Sequence, residues 1–336
     1  MIASASAQPT ASPSAVVLMY HRFGEAKYPA TNIRLEQLDE HIAYLKTNGF
    51  SVLPLGTVVD ALKNRTPLPS KAIAITIDDA YKSVVTEAWP RFKQAGFPFT
   101  VFVASEAVDK KYSDIMTWDD VRALQADGVT IGAHSHAHPH FPALSADQVR
   151  RDLDQMKARF QAELGQVPDH FAYPYGEAGR EDIKIVAGAG FAAAFGQNSG
   201  PVYPEADMFL LPRFALNETY GAMDRFKLVT ATLPIKAVNV QPDDPVLRVN
   251  PPKLGFDVLD PPATLKGLSC FGPRGERLDV SVAVARVTIT PTQAFPTGRA
   301  RVNCTLRANN NWHWFGQEFL AGGATEGVPV HTRYRN

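Results

Sequence analysis

Two aspartates stand side by side at Asp78-Asp79, directly after the apolar run Ala72–Ile77, and histidines recur in His134-Ser-His136-Ala-His138-Pro-His140 after the run Val129–Ala133. Adjacent carboxylates in a partly buried position repel unless a cation compensates one of them, and a metal is the obvious cation. Histidines four apart close on one ion where the segment makes a helical turn. His134 and His138 with Asp79 then form a His₂Asp set that leaves positions for water and substrate, as catalytic sites do. Spacing alone allows His136 with His140 equally well; location favours the first pair, because His134 directly follows the strand and His140 lies beyond Pro139. A histidine-rich surface tract with incidental metal affinity is the plainer alternative, and the strand-end Asp-Asp weighs against it. Other polar residues follow apolar runs in the same way: His21 after VVLMY, Tyr175-Gly176 after HFAYP, and Arg213 after FLLP.

The elements that must position these residues alternate. Short β-rich runs at Val16–Tyr20, Phe50–Leu53, Ala72–Ile77, Pro98–Ala104, Val129–Ala133, His170–Tyr173, Phe191–Phe195 and Phe209–Phe214 are separated by amphipathic stretches such as TWDDVRALQADG. Ser145-x-x-Gln148 opens one such stretch as a capping box and Gly165 ends it, which predicts a helix between them. Seven or eight βα units in roughly 220 residues predict an α/β fold, a distorted (β/α) barrel of seven or eight strands, whose C-terminal strand ends converge on one mouth. Five strand ends then contribute to one site. No Gly-rich phosphate loop follows any of the runs, so no nucleotide cofactor is expected.

After about residue 240 the texture changes, with QPDDPVLRVNPPKLGFDVLDPP reading as a proline-rich linker. The runs Leu265–Phe271, Leu278–Thr290, Arg299–Ala308 and Trp312–Leu320, with Asn309-Asn310-Asn311 as a turn, predict a small all-β domain. The expected organisation is a flexible leader over 1–15, the barrel over 16–235 and a β-sandwich-like accessory domain over 240–336. Trp312 and Trp314 share one strand face; core packing is favoured there over a sugar-stacking platform. Cys270 and Cys304 suit either one disulfide between neighbouring strands or two buried thiols.

Lys+Arg and Asp+Glu are equal at 34 each, which argues against a nucleic-acid partner and for a neutral or weakly charged substrate. No apolar run is long enough to span a membrane. The opening MIASASAQPTASPSA reads as the stub left by signal cleavage, or as an ordinary disordered terminus; the first reading makes the protein periplasmic or secreted.

The residues resemble a family, the NodB-homology polysaccharide deacetylases of carbohydrate esterase family four. Thr76-Ile77-Asp78-Asp79 matches its first motif, T-[FY]-D-D, and His134-Ser135-x-x-His138 its second, H-[ST]-x-x-[HS]. The third, R-x-P-x-G, is matched only at Pro174-Tyr175-Gly176, with Ala172 where the arginine belongs. No late L-x-H follows either. Leu18-Met-Tyr-His21 reads like that late motif moved to the first strand, similar to the branch that deacetylates poly-N-acetylglucosamine exopolysaccharides, and neighbouring first and last barrel strands make such a shift harmless.

The resemblance covers about residues 16 to 220 and implies hydrolysis of N-acetyl groups on a polysaccharide, with one divalent metal on Asp79, His134 and His138. Zinc is the default for that set, and cobalt or nickel bind the same ligands. Asp78 would act as base, His21 as acid toward the leaving amine, the Tyr175 backbone N–H as oxyanion donor, and Arg213 as stand-in for the missing arginine. Tyr173, Tyr175 and Trp118 are candidates for the groove wall. An O-acetyl esterase, a peptidoglycan deacetylase and a non-catalytic binding or export adaptor are the competing readings.

Overall fold

The structure, a computed structural model, describes residues 13–261 and 264–322. Its first ten strands are β1 Val16–Tyr20, β2 Arg22–Phe23, β3 Asn32–Ile33, β4 Ser51–Val52, β5 Ala72–Asp78, β6 Thr100–Val103, β7 Thr130–Ala133, β8 His170–Ala172, β9 Ala193–Phe195 and β10 Phe214–Ala215. Eight of them form one parallel sheet in the order β10-β1-β5-β6-β7-β8-β9; β4 pairs with the start of β5, and β2 and β3 pair only with each other. Leu211 bridges to Phe195 of β9, and three residues on Phe214 pairs with Leu18 of β1. One short segment thus touches both edges and curls the sheet into the expected barrel. The strand predicted over Phe209–Phe214 is shorter and later than its apolar pattern suggested, because Pro212 has no N–H to give a ladder.

Among the described residues eight α-helices accompany these strands: α1 Leu35–Thr47, α2 Leu55–Asn64, α3 Trp89–Ala95, α4 Ser105–Asp109, α5 Trp118–Ala126, α6 Ala146–Leu164, α7 Arg180–Ala187 and α8 Met223–Thr230. The Ser145–Gln148 capping box and the left-handed Gly165 close α6 at the predicted ends. The period-2 alternation of β5 sorts its side chains. Ile73, Ile75 and Ile77 join the outer core with α1, α3, α5 and α6, while Ala72 and Ala74 join an inner core with Val17, Phe102, Phe195 and Leu211. Thr76 and Asp78 continue the inner row, which is why a carboxylate ends up inside the barrel at its C-terminal end.

The C-terminal β-domain is a second eight-stranded sheet, in the order β11-β18-β17-β14-β15-β16-β13-β12. Its strands are β11 Leu233–Pro234, β12 Ala237–Gln241, β13 Leu254–Val258, β14 Ser269–Phe271, β15 Arg277–Ala283, β16 Arg286–Thr290, β17 Gly298–Ala308 and β18 Asn311–Ala321. The sheet folds over, so that Phe256 on β13 meets Phe315 on β18 at 4.7 Å. Asn309 and Asn310 turn the β17–β18 hairpin at φ 50° and 62°, conformations asparagine tolerates.

Several expectations are corrected here. Pro13 and Ala15 are buried, and Ala15 pairs with Val202, so the packed chain starts inside the leader expected over 1–15; residues 1–12 lie outside the described residues, as do 323–336 of the expected last domain. The proline-rich linker supplies the last residue of β12 and all of β13, since its prolines fall between strands rather than within them. Leu278–Thr290 is a hairpin, broken at Val284 with φ 58°. Cys270 and Cys304 face each other across β14 and β17 and are bonded. The two tryptophans part company: Trp314 packs edge-on against Phe214 of the barrel, whereas Trp312 is 40% exposed. Among the described residues no helix is long and apolar enough to cross a membrane.

Candidate active site

Asp78 closes β5, and the next two residues, Asp79 and Ala80, both take left-handed backbone conformations at φ 76° and 54°. That turn sends the neighbouring carboxylates to different partners. Asp78 accepts two hydrogen bonds from Arg213, Nη1 to Oδ1 at 2.7 Å and Nη2 to Oδ2 at 2.8 Å, with both side chains fully buried. Burial alone would raise the Asp78 pKa; the Arg213 guanidinium foremost, with His134 and His21, outweighs it and holds the carboxyl below its usual range. Arg213 is itself tied to Gly196 O at 3.0 Å and Thr76 Oγ1 at 3.2 Å.

Asp79 faces the histidines. Its Oδ1 lies 3.1 Å from His138 Nε2 and 3.4 Å from His134 Nε2, and the two Nε2 atoms are 3.2 Å apart. Ligands about 2.0–2.2 Å from a tetrahedral ion are separated by about 3.4 Å, so these three atoms are spaced as the corners of one coordination site. His134 Nδ1 donates to Ala172 O at 2.7 Å, which leaves the lone pair of a neutral His134 on Nε2, toward Asp79. Nitrogen lone pairs and a carboxylate converging at this range in a buried site are chemically sensible around a cation. Burial opposes ionisation of Asp79; when no cation lies between them, His138 and His134 themselves carry protons and keep its carboxyl well below the usual range. Among the described residues this is the one group of three such side chains disposed to hold a metal.

No helical turn brings the histidines together. Residues 134–138 follow a bend with Ser135 at φ 66° and His138 at φ 54°, in which His138 N–H donates to Ser135 Oγ at 2.9 Å. Asp152 of α6 accepts the backbone N–H groups of His136 and Ala137 at 2.8 and 2.9 Å. The competing pair is engaged elsewhere, His136 with Ser105 Oγ at 2.8 Å and His140 with Glu177 at 2.6 Å.

The polysaccharide deacetylase family model matches residues 65–194, which span Asp78, Asp79 and both histidines. The chain carries a polysaccharide deacetylase domain. The chain is 24% identical over 212 residues to the poly-beta-1,6-N-acetyl-D-glucosamine N-deacetylase of Escherichia coli (strain K12), covering 50% of this chain and 31% of that protein. It is 22% identical over 198 residues to YxkH of Bacillus subtilis (strain 168), covering 59% of this chain and 69% of that one. The solved structure of IcaB from Ammonifex degensii superposes with a TM-score of 0.58 at 25% identity, over 63% of this chain and 96% of that one. The chain thus spans about a third of the E. coli relative, and its C-terminal β-domain lies outside the family match.

The remaining sequence-predicted residues distribute unevenly. His21, just past β1, is partly buried and close enough to influence both aspartates. Tyr175 lies beside the histidines, its ring edge-on to His138 at 4.6 Å and stacked on His140 at 3.9 Å. Gly176 after it has no room for a side chain, since a Cβ would come within 2.6 Å of Gln197 N. Arg213 precedes β10 instead of ending a strand, so four strand ends and one flanking segment build the site, not five strand ends. Tyr173 is fully buried with its hydroxyl on Phe209 O, and Trp118 packs on Phe160 with Nε1 on Asp109; both are packing residues, not groove wall.

Two contributors escaped the sequence. Asp152 sits within the apolar stripe Val149, Leu153, Met156 and Phe160 of α6, and a lone carboxylate there was a readable signal of a buried backbone partner. Arg299, from the C-terminal β-domain, donates Nη1 to Tyr175 O at 3.0 Å and carried no signal at all.

Proposed function

We propose that this deacetylase hydrolyses N-acetyl groups on an N-acetylglucosamine-containing exopolysaccharide, releasing acetate and leaving the free amine on the polymer. The observation that carries the reading is the division of labour at Asp78-Asp79: one carboxylate joins two histidines, and its neighbour is held apart by a buried arginine. Asp79, His134 and His138 would hold a divalent ion, zinc first and cobalt or nickel on the same ligands. Such an ion, when bound, acidifies water and polarises the acetyl carbonyl.

The chain's own residues account for the proton traffic. Asp78, kept ionised and aimed by Arg213, takes the proton of the attacking water. The Tyr175 backbone N–H stabilises the developing oxyanion. His21, just past the end of β1, protonates the departing sugar amine as the C–N bond breaks. Two observations favour an extracytoplasmic setting. They are the Cys270–Cys304 disulfide, a bond that persists in oxidising compartments, and the exopolysaccharide named for the E. coli relative.

The test is acetate release from N-acetylglucosamine oligomers by zinc-reconstituted protein, with Asp78→Asn as control. Release that vanishes in the variant supports both substrate class and base. Metal-loaded protein that releases no acetate from the oligomers but does so from O-acetylated polysaccharide or peptidoglycan overturns the substrate; no release from any of them overturns the enzymatic reading.

A further inference from the structure

Tyr175 holds a left-handed backbone at φ 59° and ψ 1°, a conformation that costs a non-glycine residue about 1–2 kcal/mol and persists where the surroundings enforce it. Its carbonyl accepts a hydrogen bond from Arg299 Nη1 at 3.0 Å. The same guanidinium reaches Gln197 Oε1 at 3.4 Å and lies 3.6 Å from Glu177 Oε1. Glu177 in turn holds His140 Nδ1 at 2.6 Å, and the His140 ring lies flat on the Tyr175 ring with 5° between their planes. Two routes from one arginine therefore grip Tyr175, directly at its carbonyl and through Glu177 and His140 at its ring. The gripped ring is the one that packs edge-on against His138.

Arg299 does not belong to the barrel. It stands near the start of β17, opposite Leu320 of β18, in the long hairpin of the C-terminal β-domain. That hairpin is docked closely: a Cβ on Gly316 would meet Ser199 O at 2.2 Å, and Trp314 packs on Phe214. The neighbouring ion pair of Arg301 with buried Glu318, at 2.7 Å, stiffens the same strands. The arginine is thus delivered from a seated element, and its planar fork serves two acceptors and a carboxylate together in a way a lysine cannot.

We propose that Arg299 is a positioning residue for deacetylation, through which the C-terminal β-domain completes the active-site wall by fixing the Tyr175 backbone through its carbonyl and its ring, and with it the orientation of the oxyanion-binding N–H. The inference rests on the role given to the Tyr175 N–H above. A clamp on a transition-state donor acts on kcat, whereas a residue that merely binds polymer acts on KM.

The experiment compares zinc-loaded wild type, Arg299→Ala and Arg299→Lys on N-acetylglucosamine oligomers and on p-nitrophenyl acetate, with zinc affinity and amide hydrogen exchange measured alongside. Arg299→Ala is expected to lower kcat roughly tenfold to a hundredfold on both substrates, somewhat less than outright loss of an oxyanion donor. KM and zinc affinity stay within about threefold, and Arg299→Lys recovers part of the loss. Exchange over residues 173–178 quickens in Arg299→Ala while β5 and β7 are unchanged. A kcat within about twofold of wild type, a loss confined to KM, or a loss matched by loss of zinc overturns the inference. Wild type active on the aryl ester and inert on oligomers overturns the polymer reading alone, with Arg299 judged by the ester kinetics. Zinc-loaded wild type inert on both overturns both.

Discussion

Replacing Arg213 with methionine tests how the Asp78 carboxylate is kept ionised in a fully buried place. The arginine supplies two charge-assisted hydrogen bonds at 2.7 and 2.8 Å, and neither side chain touches solvent. Removing one member of such a pair costs about 3–5 kcal/mol if the other stays charged. In the wild type the Asp78 pKa is depressed, so the pair contributes stability above the usual carboxylate pKa and loses it as pH falls. In Arg213→Met burial acts unopposed by the guanidinium, Asp78 takes up a proton, and the sign reverses: the stability deficit grows as pH rises. The acidic limb of kcat/KM moves to higher pH for the same reason, and activity at neutral pH falls by roughly 10²–10⁴-fold as the proposed base is lost. Urea denaturation at acidic and mildly alkaline pH, with a pH profile of acetate release on zinc-loaded protein, reads both effects. Arg213→Lys, which keeps a cation, should fall between the two proteins. An Arg213→Met variant that keeps kcat/KM within about threefold and an unmoved acidic limb would refute the reasoning.

Two further outcomes follow from the packing. His41 is buried, stacked on Phe226, with Nε2 on Gly221 O at 2.7 Å and Nδ1 at 3.1 Å from the Tyr20 hydroxyl, and burial lowers its pKa to about 4. The unfolded chain therefore binds the extra proton between about pH 6.5 and 4, and stability is lost on acidification through that window, by about 3 kcal/mol at about 1.4 kcal/mol per pH unit; His41→Gln should flatten this part of the stability-pH curve. The Cys270–Cys304 bond closes a separation of 34 residues, worth on the order of 3–4 kcal/mol by loop closure, so a Cys270→Ala/Cys304→Ala protein should show earlier melting of the C-terminal β-domain by hydrogen exchange, with the barrel strands unchanged.

The strands were legible where their neighbours in sequence decided them. AIAITID alternates, so β5 and the inward face of Asp78 could be read directly, and Ser145, Gln148 and Gly165 marked α6 because caps are local hydrogen bonds. Asp79, His134 and His138 were legible as a set because each follows an apolar run and a barrel gathers strand ends. Val284 and the proline-rich segment that contains β13 were misjudged because apolarity and proline content do not say where a chain reverses or which edge it pairs with.

What the sequence determined by itself was therefore the period-2 and cap chemistry, the types of the candidate metal ligands and their placement after strand ends. Only the tertiary structure decided which carboxylate turns to the arginine and which to the histidines, since the left-handed backbone at Asp79 and the reach of Arg213 from beside β10, two strands from β5, are properties of closure. It likewise decided that the histidines meet across a bend, braced by Asp152 from α6, and that Arg299 reaches Tyr175 across a domain boundary. Such contacts join residues far apart in the chain, and no local propensity encodes them; they are set by which surfaces pack together.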